Sequence, residues 1–171
     1  MAKKIVDYKE CLIETMEAFE DDRVLLVSQG KAGIPNVMAI GWGTVGIVWT
    51  RPVFVVLVRP SRYTFGLLHE AGAFSVNIVP PNLKDVVTYC GTVSGRDHDK
   101  FKEKGLTALQ AQKIPVPILK EGILHYECRI VQMTDVLPST MDRAIVNKYY
   151  PKGDYHRVFF GEILACQKEV G

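Results

Sequence analysis

The chain has 171 residues, of which 47% are hydrophobic and 23% are charged, a composition typical of a globular domain with one packed core. These proportions exclude disordered, collagen-like and coiled-coil classes. The formal net charge of +2 is too small to indicate a nucleic-acid or anionic-membrane partner by itself. We therefore expect one domain over residues 1–171, with neither nucleic acid nor a membrane as its partner.

The distribution of apolar residues and cysteines bears on the cellular compartment. The longest uninterrupted apolar run covers residues 53–58, far short of the roughly 20 residues that span a bilayer. Residues 1–22 are acidic and amphipathic, unlike a secretory signal peptide. The four cysteines lack the spacing of a zinc site or of a Cys-x-x-Cys pair. We expect a cytoplasmic protein with reduced thiols, mostly in the core, and no metal site.

The first half of the chain predicts one helix followed by strands. Apolar residues recur at intervals of three and four, which predicts an amphipathic helix that ends near Asp21; they are Ile5, Tyr8, Leu12, Met16 and Phe19. Residues 23–28 and 36–40 have strand patterns with a glycine turn between them, so we expect a hairpin. Residues 53–58 are apolar on both faces and predict a central strand that ends before Pro60.

The second half alternates between helical and strand patterns. Ser61 is suited to cap a helix that Gly72 ends, and residues 74–79 predict a strand. Short helices are expected at 82–89 and 97–104, the second with Asp97 as its N-cap and Gly105 after its end. Long strands at 123–133 and 156–166 enclose a polar segment that matches no recognisable pattern. The order favours a mainly β fold, an antiparallel barrel with helices packed outside it.

Residues 41–46 match the dinucleotide fingerprint G-x-G-x-x-G. That motif needs a helix after it and an acidic residue about 20 positions further on, and the sequence has neither. We interpret the glycines as a bend between strands. Trp42, within this stretch, either flanks a flat aromatic ligand or fills one end of the barrel. Trp49 is expected in the core.

Two segments place basic and hydroxyl-bearing residues at predicted helix starts. Arg59-Pro60-Ser61-Arg62-Tyr63-Thr64 joins the predicted central strand to a helix, where free backbone N–H groups and the helix dipole favour a phosphate. The alternative is that Ser61 only caps the helix and both arginines are solvated. Ser94-Gly95-Arg96-Asp97-His98-Asp99-Lys100 forms a second such segment, which is either an anion site or a capped surface turn. Cys90, nearby, is either reactive or a buried inert thiol.

Four segments together resemble a known family. They are NVMAIGWG at 36–43, RPSRYT at 59–64, CGTVSGRDHDKF at 90–101 and YHRVFFGEI at 155–163. In order and spacing they resemble the flavin reductase-like family of FMN-binding split barrels, in particular its flavoredoxin-like branch. The resemblance implies an antiparallel, Greek-key-like split β-barrel over residues 1–171. It also implies a homodimer with FMN near the subunit interface.

The resemblance further implies which residues hold FMN. The segment from Asn36 to Trp42 would line the isoalloxazine ring and ribityl chain, and the two basic segments would hold the phosphate. The implied cofactor-binding residues are Asn36, Met38, Ala39, Ile40, Gly41, Trp42, Arg59, Ser61, Arg62, Tyr63, Thr64, Ser94, Gly95 and Lys100. No catalytic side chain is implied, because hydride transfer between stacked rings depends mainly on positioning.

Three functions stay open at this point. The first is an FMN-dependent oxidoreductase that takes electrons from NADH or NADPH and passes them to flavin, ferric complexes or a redox partner protein. The second is a flavoredoxin-like FMN electron carrier that a protein donor reduces. The third is a small barrel that binds single-stranded nucleic acid through basic and aromatic residues. The basic residues cluster at two predicted helix starts rather than along a strand, which favours the first two.

Overall fold

An eight-stranded antiparallel sheet, a separate two-stranded sheet and five helices account for most of residues 2–170, the part of the chain that the computed structural model describes. The strands are β1 (Ala2–Ile5), β2 (Val24–Gln29), β3 (Pro35–Ala39), β4 (Gly43–Val48), β5 (Arg51–Val58), β6 (Ala73–Ile78), β7 (Ala108–Leu109), β8 (Ile118–Leu119), β9 (Leu124–Asp135) and β10 (Arg157–Val170). The helices are α1 (Leu12–Glu20), α2 (Tyr63–Ala71), α3 (Lys84–Thr92), α4 (Lys100–Lys104) and α5 (Arg143–Tyr149).

The sheet is organised around its longest strand, β10. The strand order is β3-β2-β6-β9-β10-β5-β4, and all neighbours are antiparallel. One edge of β10 pairs with β9, while the other pairs first with β5 and then, from Gln167 to Val170, with β1. Consecutive strands β5 and β6 are separated in the sheet by β9 and β10, so α2 crosses over them. This crossing brings the start of α2 to one end of the sheet.

One hydrophobic cluster receives side chains from most strands, so the sheet curls around a shared interior. Its largest buried members come from β5, β6, β9 and β10; they are Phe54, Phe74, Tyr126 and Phe159. A second cluster lies between the sheet and α3, where it includes Leu25, Val87 and Cys90. The prediction of a mainly β, antiparallel barrel with external helices is therefore confirmed.

Several predicted elements are present with shifted boundaries. The hairpin β2–β3 and strand β5 are confirmed. Helix α2 ends at Gly72 and α4 at Gly105, both in the left-handed region. The helix caps differ from the prediction, because Arg62 rather than Ser61 precedes α2 and Asp99 rather than Asp97 caps α4. The predicted glycine bend is also shorter, since β4 already begins at Gly43.

The predicted amphipathic helix at the start of the chain is wrong in its beginning and in its buried face. Its first residues form β1, and α1 begins only at Leu12. Met16, expected on the buried face, is 53% exposed, whereas Thr15 and Ala18 are buried. The inner face of α1 thus combines these small side chains with Phe19, whose ring lies 6.2 Å from that of Phe54.

Trp49 also lies elsewhere than expected. It stands with Thr50 in the tight turn between β4 and β5, where both have positive φ angles, and it is 58% exposed. All four cysteines are free and buried, as expected of core residues. The polar segment that matched no pattern contains a 3-10 turn at Pro138–Thr140 and helix α5. Within residues 2–170 no helix is long and apolar enough to cross a membrane.

Candidate functional site

The start of α2 presents unused hydrogen-bond donors. Arg62, its N-cap, makes no side-chain capping bond. The backbone N–H groups of Tyr63 and Thr64 have no acceptor within residues 2–170. Such groups carry the positive end of the helix dipole and attract anions. The sequence produces this arrangement because Pro60 ends the β5 ladder directly before the helix.

Two adjoining clefts lie at this helix start. The polar cleft, of about 140 Å³, is lined by Asn36, Met38, Ala39, Ser61, Arg62, Tyr63, Thr64, Cys90, Gly91, Val93, Ser94, Gly95, Arg96 and Lys100. The aromatic cleft, of about 290 Å³, is lined by Met38, Ala39, Ile40, Gly41, Trp42, Leu57, Arg59, Arg62 and His156. The clefts share Met38, Ala39 and Arg62. Every residue that the resemblance implied for the cofactor thus lines one of these two clefts.

The floor of the polar cleft joins β3 to α2. Buried Asn36 donates from Nδ2 to Thr64 Oγ1 at 2.8 Å, which leaves the Thr64 hydroxyl hydrogen free for another acceptor. The turn at Gly95 presses against this pair. A Cβ atom on Gly95 would lie 2.0 Å from Asn36 Oδ1 and 2.8 Å from Tyr63 Cδ1. Only glycine fits there without displacing the floor.

Lys100 ties two walls of the polar cleft together. It is 4% exposed, and its Nζ donates to Val37 O at 2.9 Å and to Cys90 O at 2.8 Å. Burial lowers the pKa of Lys100, and nearby Cys90 opposes this shift. Cys90 is buried too, and its burial raises the pKa of the thiol, which favours the interpretation as an inert core residue. Two of the three ammonium hydrogens of Lys100 are therefore engaged by carbonyls.

Two arginines supply positive charge to the polar cleft. Arg62 lines both clefts and makes no side-chain hydrogen bond or ion pair within residues 2–170. Arg96 donates from Nη1 to Ser61 O at 3.1 Å, and its guanidinium lies 5.6 Å from the ring centroid of Tyr63. Arg96 is absent from the residues that the resemblance implied, although it stands inside the second basic segment. The position of Arg96 in that segment is the sequence feature that could have identified it as a residue of the cleft.

Arg59 and Ser61 point toward a part of the chain that the sequence left unassigned. Arg59 donates from Nη2 to Tyr149 O at 2.7 Å and from Nη1 to Asp154 O at 3.1 Å. Ser61 donates from Oγ to Asp154 Oδ2 at 2.6 Å and from N to Asp154 Oδ1 at 3.3 Å. These expected phosphate donors are thus engaged by residues 149–154.

Aromatic side chains form the outer wall of the aromatic cleft. The Trp42 ring lies 5.0 Å from the Tyr149 ring and 5.2 Å from the His156 ring, and Trp42 is 40% exposed. Burial, with a smaller effect from the Arg59 charge, lowers the pKa of His156 to about 4. His156 is therefore a neutral imidazole at neutral pH. Trp42 lines a cleft large enough for a ligand, which favours its interpretation as a residue that flanks a flat aromatic ligand.

The donor set of the two clefts matches a flat ring that carries a phosphate. Guanidinium, hydroxyl and free backbone N–H groups surround the polar cleft, and these are the donors that bind phosphate. Apolar and aromatic side chains surround the aromatic cleft next to it, as in other small-molecule sites. The residues present therefore fit FMN, with its ring in one cleft and its phosphate in the other.

Comparison with known proteins defines the family. The model of the flavin reductase like domain matches residues 16–170. The chain therefore belongs to the flavin reductase-like domain family. Its fold is the split barrel found in solved structures of that kind, which confirms the fold expected from the sequence.

Individual relatives are similar over most of the chain. Flavoredoxin from Methanosarcina acetivorans is 30% identical, with a TM-score of 0.68 over 85% of this chain and 67% of its own. An FMN-binding protein from Thermus thermophilus, solved with bound 1-cyclohex-2-enone, is 27% identical, with a TM-score of 0.67 over 85% of this chain and 69% of its own. An uncharacterized protein of Archaeoglobus fulgidus is 32% identical over 76% of this chain, which spans only 63% of that relative's length.

Proposed function

We propose that this protein is an FMN-binding oxidoreductase. The proposal rests on a set of donors at the start of α2, directly beside the aromatic cleft, that have no partner among residues 2–170: the N–H groups of Tyr63 and Thr64 and the Arg62 guanidinium. The named flavoredoxin and FMN-binding protein among the similar structures support the same cofactor.

In this proposal the phosphate of FMN binds in the polar cleft. Arg62 supplies the charge, and the hydroxyl groups of Thr64 and Ser94 join the two free N–H groups as donors. Lys100 and Arg96 act mainly as supports, because most of their described bonds hold the cleft walls. Arg59 and Ser61 contribute less than the sequence implied, since residues 149–154 engage them.

The aromatic cleft holds the flavin ring in the same proposal. FMN, when bound, accepts a hydride or single electrons and passes them on. The strand end from Met38 to Trp42 positions the ring, with Leu57 and His156 across the cleft. Because His156 is neutral at neutral pH, it adds no positive charge beside the ring. We assign no acid-base role to any side chain, since positioning is the main contribution the protein makes.

For the electron donor we propose NADH or NADPH, with free flavin, ferric complexes or a protein as acceptor. A second candidate is a flavoredoxin-like carrier that a protein donor reduces, and the 30% identity to a flavoredoxin favours it. The two differ in one observable property. A reductase has a bound flavin that reduced nicotinamide bleaches, whereas a carrier does not react with it.

Anaerobic visible spectra of the FMN-loaded protein test both candidates. The flavin band is recorded before and after excess NADH, then NADPH, then dithionite. Bleaching by either nucleotide supports the reductase and identifies its donor. A band that stays oxidised until dithionite is added supports the carrier. A protein that retains no flavin after loading contradicts both.

We also propose that the protein is a homodimer. Ile47 on the edge strand β4 and Trp49 beyond it are 61% and 58% exposed, and exposed apolar strand edges favour association. Analytical ultracentrifugation of the wild type and of Ile47→Lys checks this. We expect a dimer that the substitution weakens, and a wild-type monomer at all concentrations would contradict the proposal.

A further inference from the structure

A carboxylate of the chain itself occupies donors at the edge of the polar cleft. Asp154 accepts the Ser61 hydroxyl at 2.6 Å and the Ser61 N–H at 3.3 Å. Ser61 lines the polar cleft and directly precedes Arg62, the N-cap of α2. The negative charge of Asp154 therefore lies beside the site proposed for the phosphate.

The position of Asp154 is fixed independently of its carboxylate. We call residues 149–156 the strap. Arg59 binds the strap through the carbonyl oxygens of Tyr149 and Asp154, and its guanidinium lies 5.0 Å from the Tyr150 ring centroid. Tyr150 in turn is hydrogen-bonded to His156 at 2.8 Å. The strap thus holds Asp154 at Ser61 by backbone and aromatic contacts, and the Arg59 guanidinium also lies 4.0 Å from the Asp154 carboxylate.

Carboxylate and phosphate oxygens accept the same hydrogen bonds. The hydroxyl and the N–H of Ser61 each have one hydrogen, so neither donor serves Asp154 and a phosphate fully at the same time. A phosphate that uses Ser61 has to displace Asp154. A phosphate that does not use Ser61 binds next to the Asp154 carboxylate, whose charge the Arg59 guanidinium at 4.0 Å offsets only in part. In both cases Asp154 weakens binding of the phosphate and leaves binding of the ring unaffected.

We propose that Asp154 is a specificity-determining residue, which competes with the ligand's phosphate for Ser61. It thereby limits how strongly the site prefers a phosphorylated flavin over the unphosphorylated form. The inference rests on the proposed function, because it presupposes a flavin in the two clefts. It assigns to the strap a role that none of the sequence motifs indicated.

Dissociation constants for FMN and riboflavin test this inference in the wild type, in Asp154→Asn and in Asp97→Asn. Asparagine keeps the size of Asp154 and tolerates its positive φ of 55°. Asp97 is an exposed carboxylate near the same cleft, with no side-chain bond within residues 2–170, so its variant controls for loss of charge alone. The ratio of the riboflavin to the FMN constant measures the contribution of the phosphate.

We expect Asp154→Asn to raise this ratio about three- to tenfold, the range for one charge-assisted contact at a partly exposed site, and Asp97→Asn to leave it nearly unchanged. In a Ser61→Ala background, which removes the shared hydroxyl but keeps the backbone N–H and the charge of Asp154, Asp154→Asn should raise the ratio by a smaller factor. A ratio that falls in Asp154→Asn, stays constant, or rises equally in Asp97→Asn would overturn the inference while FMN binding stands. A wild type that binds neither flavin would overturn the proposed function itself.

Discussion

Asn36 donates a hydrogen bond of 2.8 Å to Thr64, and this bond joins strand β3 to the first turn of α2. Both residues are buried, at 7% and 1% exposure. The bond uses a lone pair of the Thr64 hydroxyl and leaves its hydrogen directed elsewhere. This hydrogen bond therefore positions the start of α2 and leaves the Thr64 hydroxyl as a donor in the polar cleft.

Gly95 is expected to tolerate no side chain, because the Asn36–Thr64 pair lies against it. In Gly95→Ala the new Cβ would meet Asn36 Oδ1 at 2.0 Å, so the floor has to move. We expect a loss of about 1–3 kcal/mol in the free energy of unfolding, together with weaker FMN binding. Urea unfolding measures the first effect. Gly46→Ala is the control, since a Cβ there meets nothing within 4 Å, and equal losses in both variants would contradict the prediction.

Arg62 is expected to contribute to FMN binding but little to stability. Its guanidinium has no side-chain partner within residues 2–170 and lines both clefts, so only the ligand would pair with it. Arg62→Ala should weaken FMN binding about 10- to 100-fold, the effect of one charge-assisted hydrogen bond in a cleft. Fluorescence titration measures the affinity. Arg51→Ala removes the same charge outside the clefts and should bind FMN normally; an unchanged affinity in Arg62→Ala would remove this residue from the site.

Lys100 is expected to act on stability first. In Lys100→Met the carbonyl oxygens of Val37 and Cys90 lose a buried donor. Unfolding in urea should show a loss of about 2–4 kcal/mol. Lys102→Met, on the exposed face of the same helix, should cost less than about 0.5 kcal/mol. A variant of Lys100 as stable as the wild type that only loses FMN would instead make it a direct ligand contact.

The stability of the fold should fall as the pH falls below about 6.5, in part because of His125. Its Nδ1 lies 2.8 Å from Asn77 Oδ1, and its Nε2 lies 2.8 Å from Lys3 Nζ and 2.9 Å from Gly122 O. Burial, and after it the charge of Lys3, lowers the pKa of His125 to about 3. Between about pH 6.5 and 3 the unfolded chain therefore binds a proton that the folded His125 does not.

This linkage predicts that His125 contributes a loss of about 2 kcal/mol between about pH 6.5 and pH 5. Urea unfolding at both pH values measures it, and His125→Gln should show a correspondingly smaller difference between them. His156 acts in the same direction, since its pKa is about 4, and it remains in both proteins. The same pH dependence with and without His125 would contradict the assignment.

The motifs that the sequence placed correctly are those whose signal is local. The strand ending before Pro60 and the helix ending at Gly72 are set by backbone geometry at those residues. The first basic segment contains Pro60 and the start of α2, and the second ends where α4 begins. The cofactor-binding residues that the resemblance implied all line the two clefts.

The first strand could not be predicted in the same way. Ile5 pairs with Gln167, near the opposite end of the chain, and a helical periodicity that begins at Ile5 is equally consistent with the local pattern. Trp49 and Thr50 form a tight turn with positive φ, which usually has glycine or asparagine. For this reason the sequence predicted Trp49 in the core, whereas it lies in a turn.

The strap was unpredictable for a related reason. Its contacts join residues that are far apart in sequence, such as Arg59 to Tyr149 and Ser61 to Asp154. Polar side chains of this kind have no periodicity that identifies a partner. Periodicity locates faces of elements, and only the folded chain shows which polar groups meet.

The most direct test of the proposed site is an amide NMR titration of the uniformly ¹⁵N-labelled protein with FMN and with riboflavin. The backbone N–H groups of Tyr63 and Thr64 have no acceptor within residues 2–170, so a bound phosphate should shift both strongly. We predict large shifts of these two amides with FMN, small ones with riboflavin, and shifts of the Met38–Trp42 amides with both. FMN binding that leaves the Tyr63 and Thr64 amides unchanged would contradict the site described here.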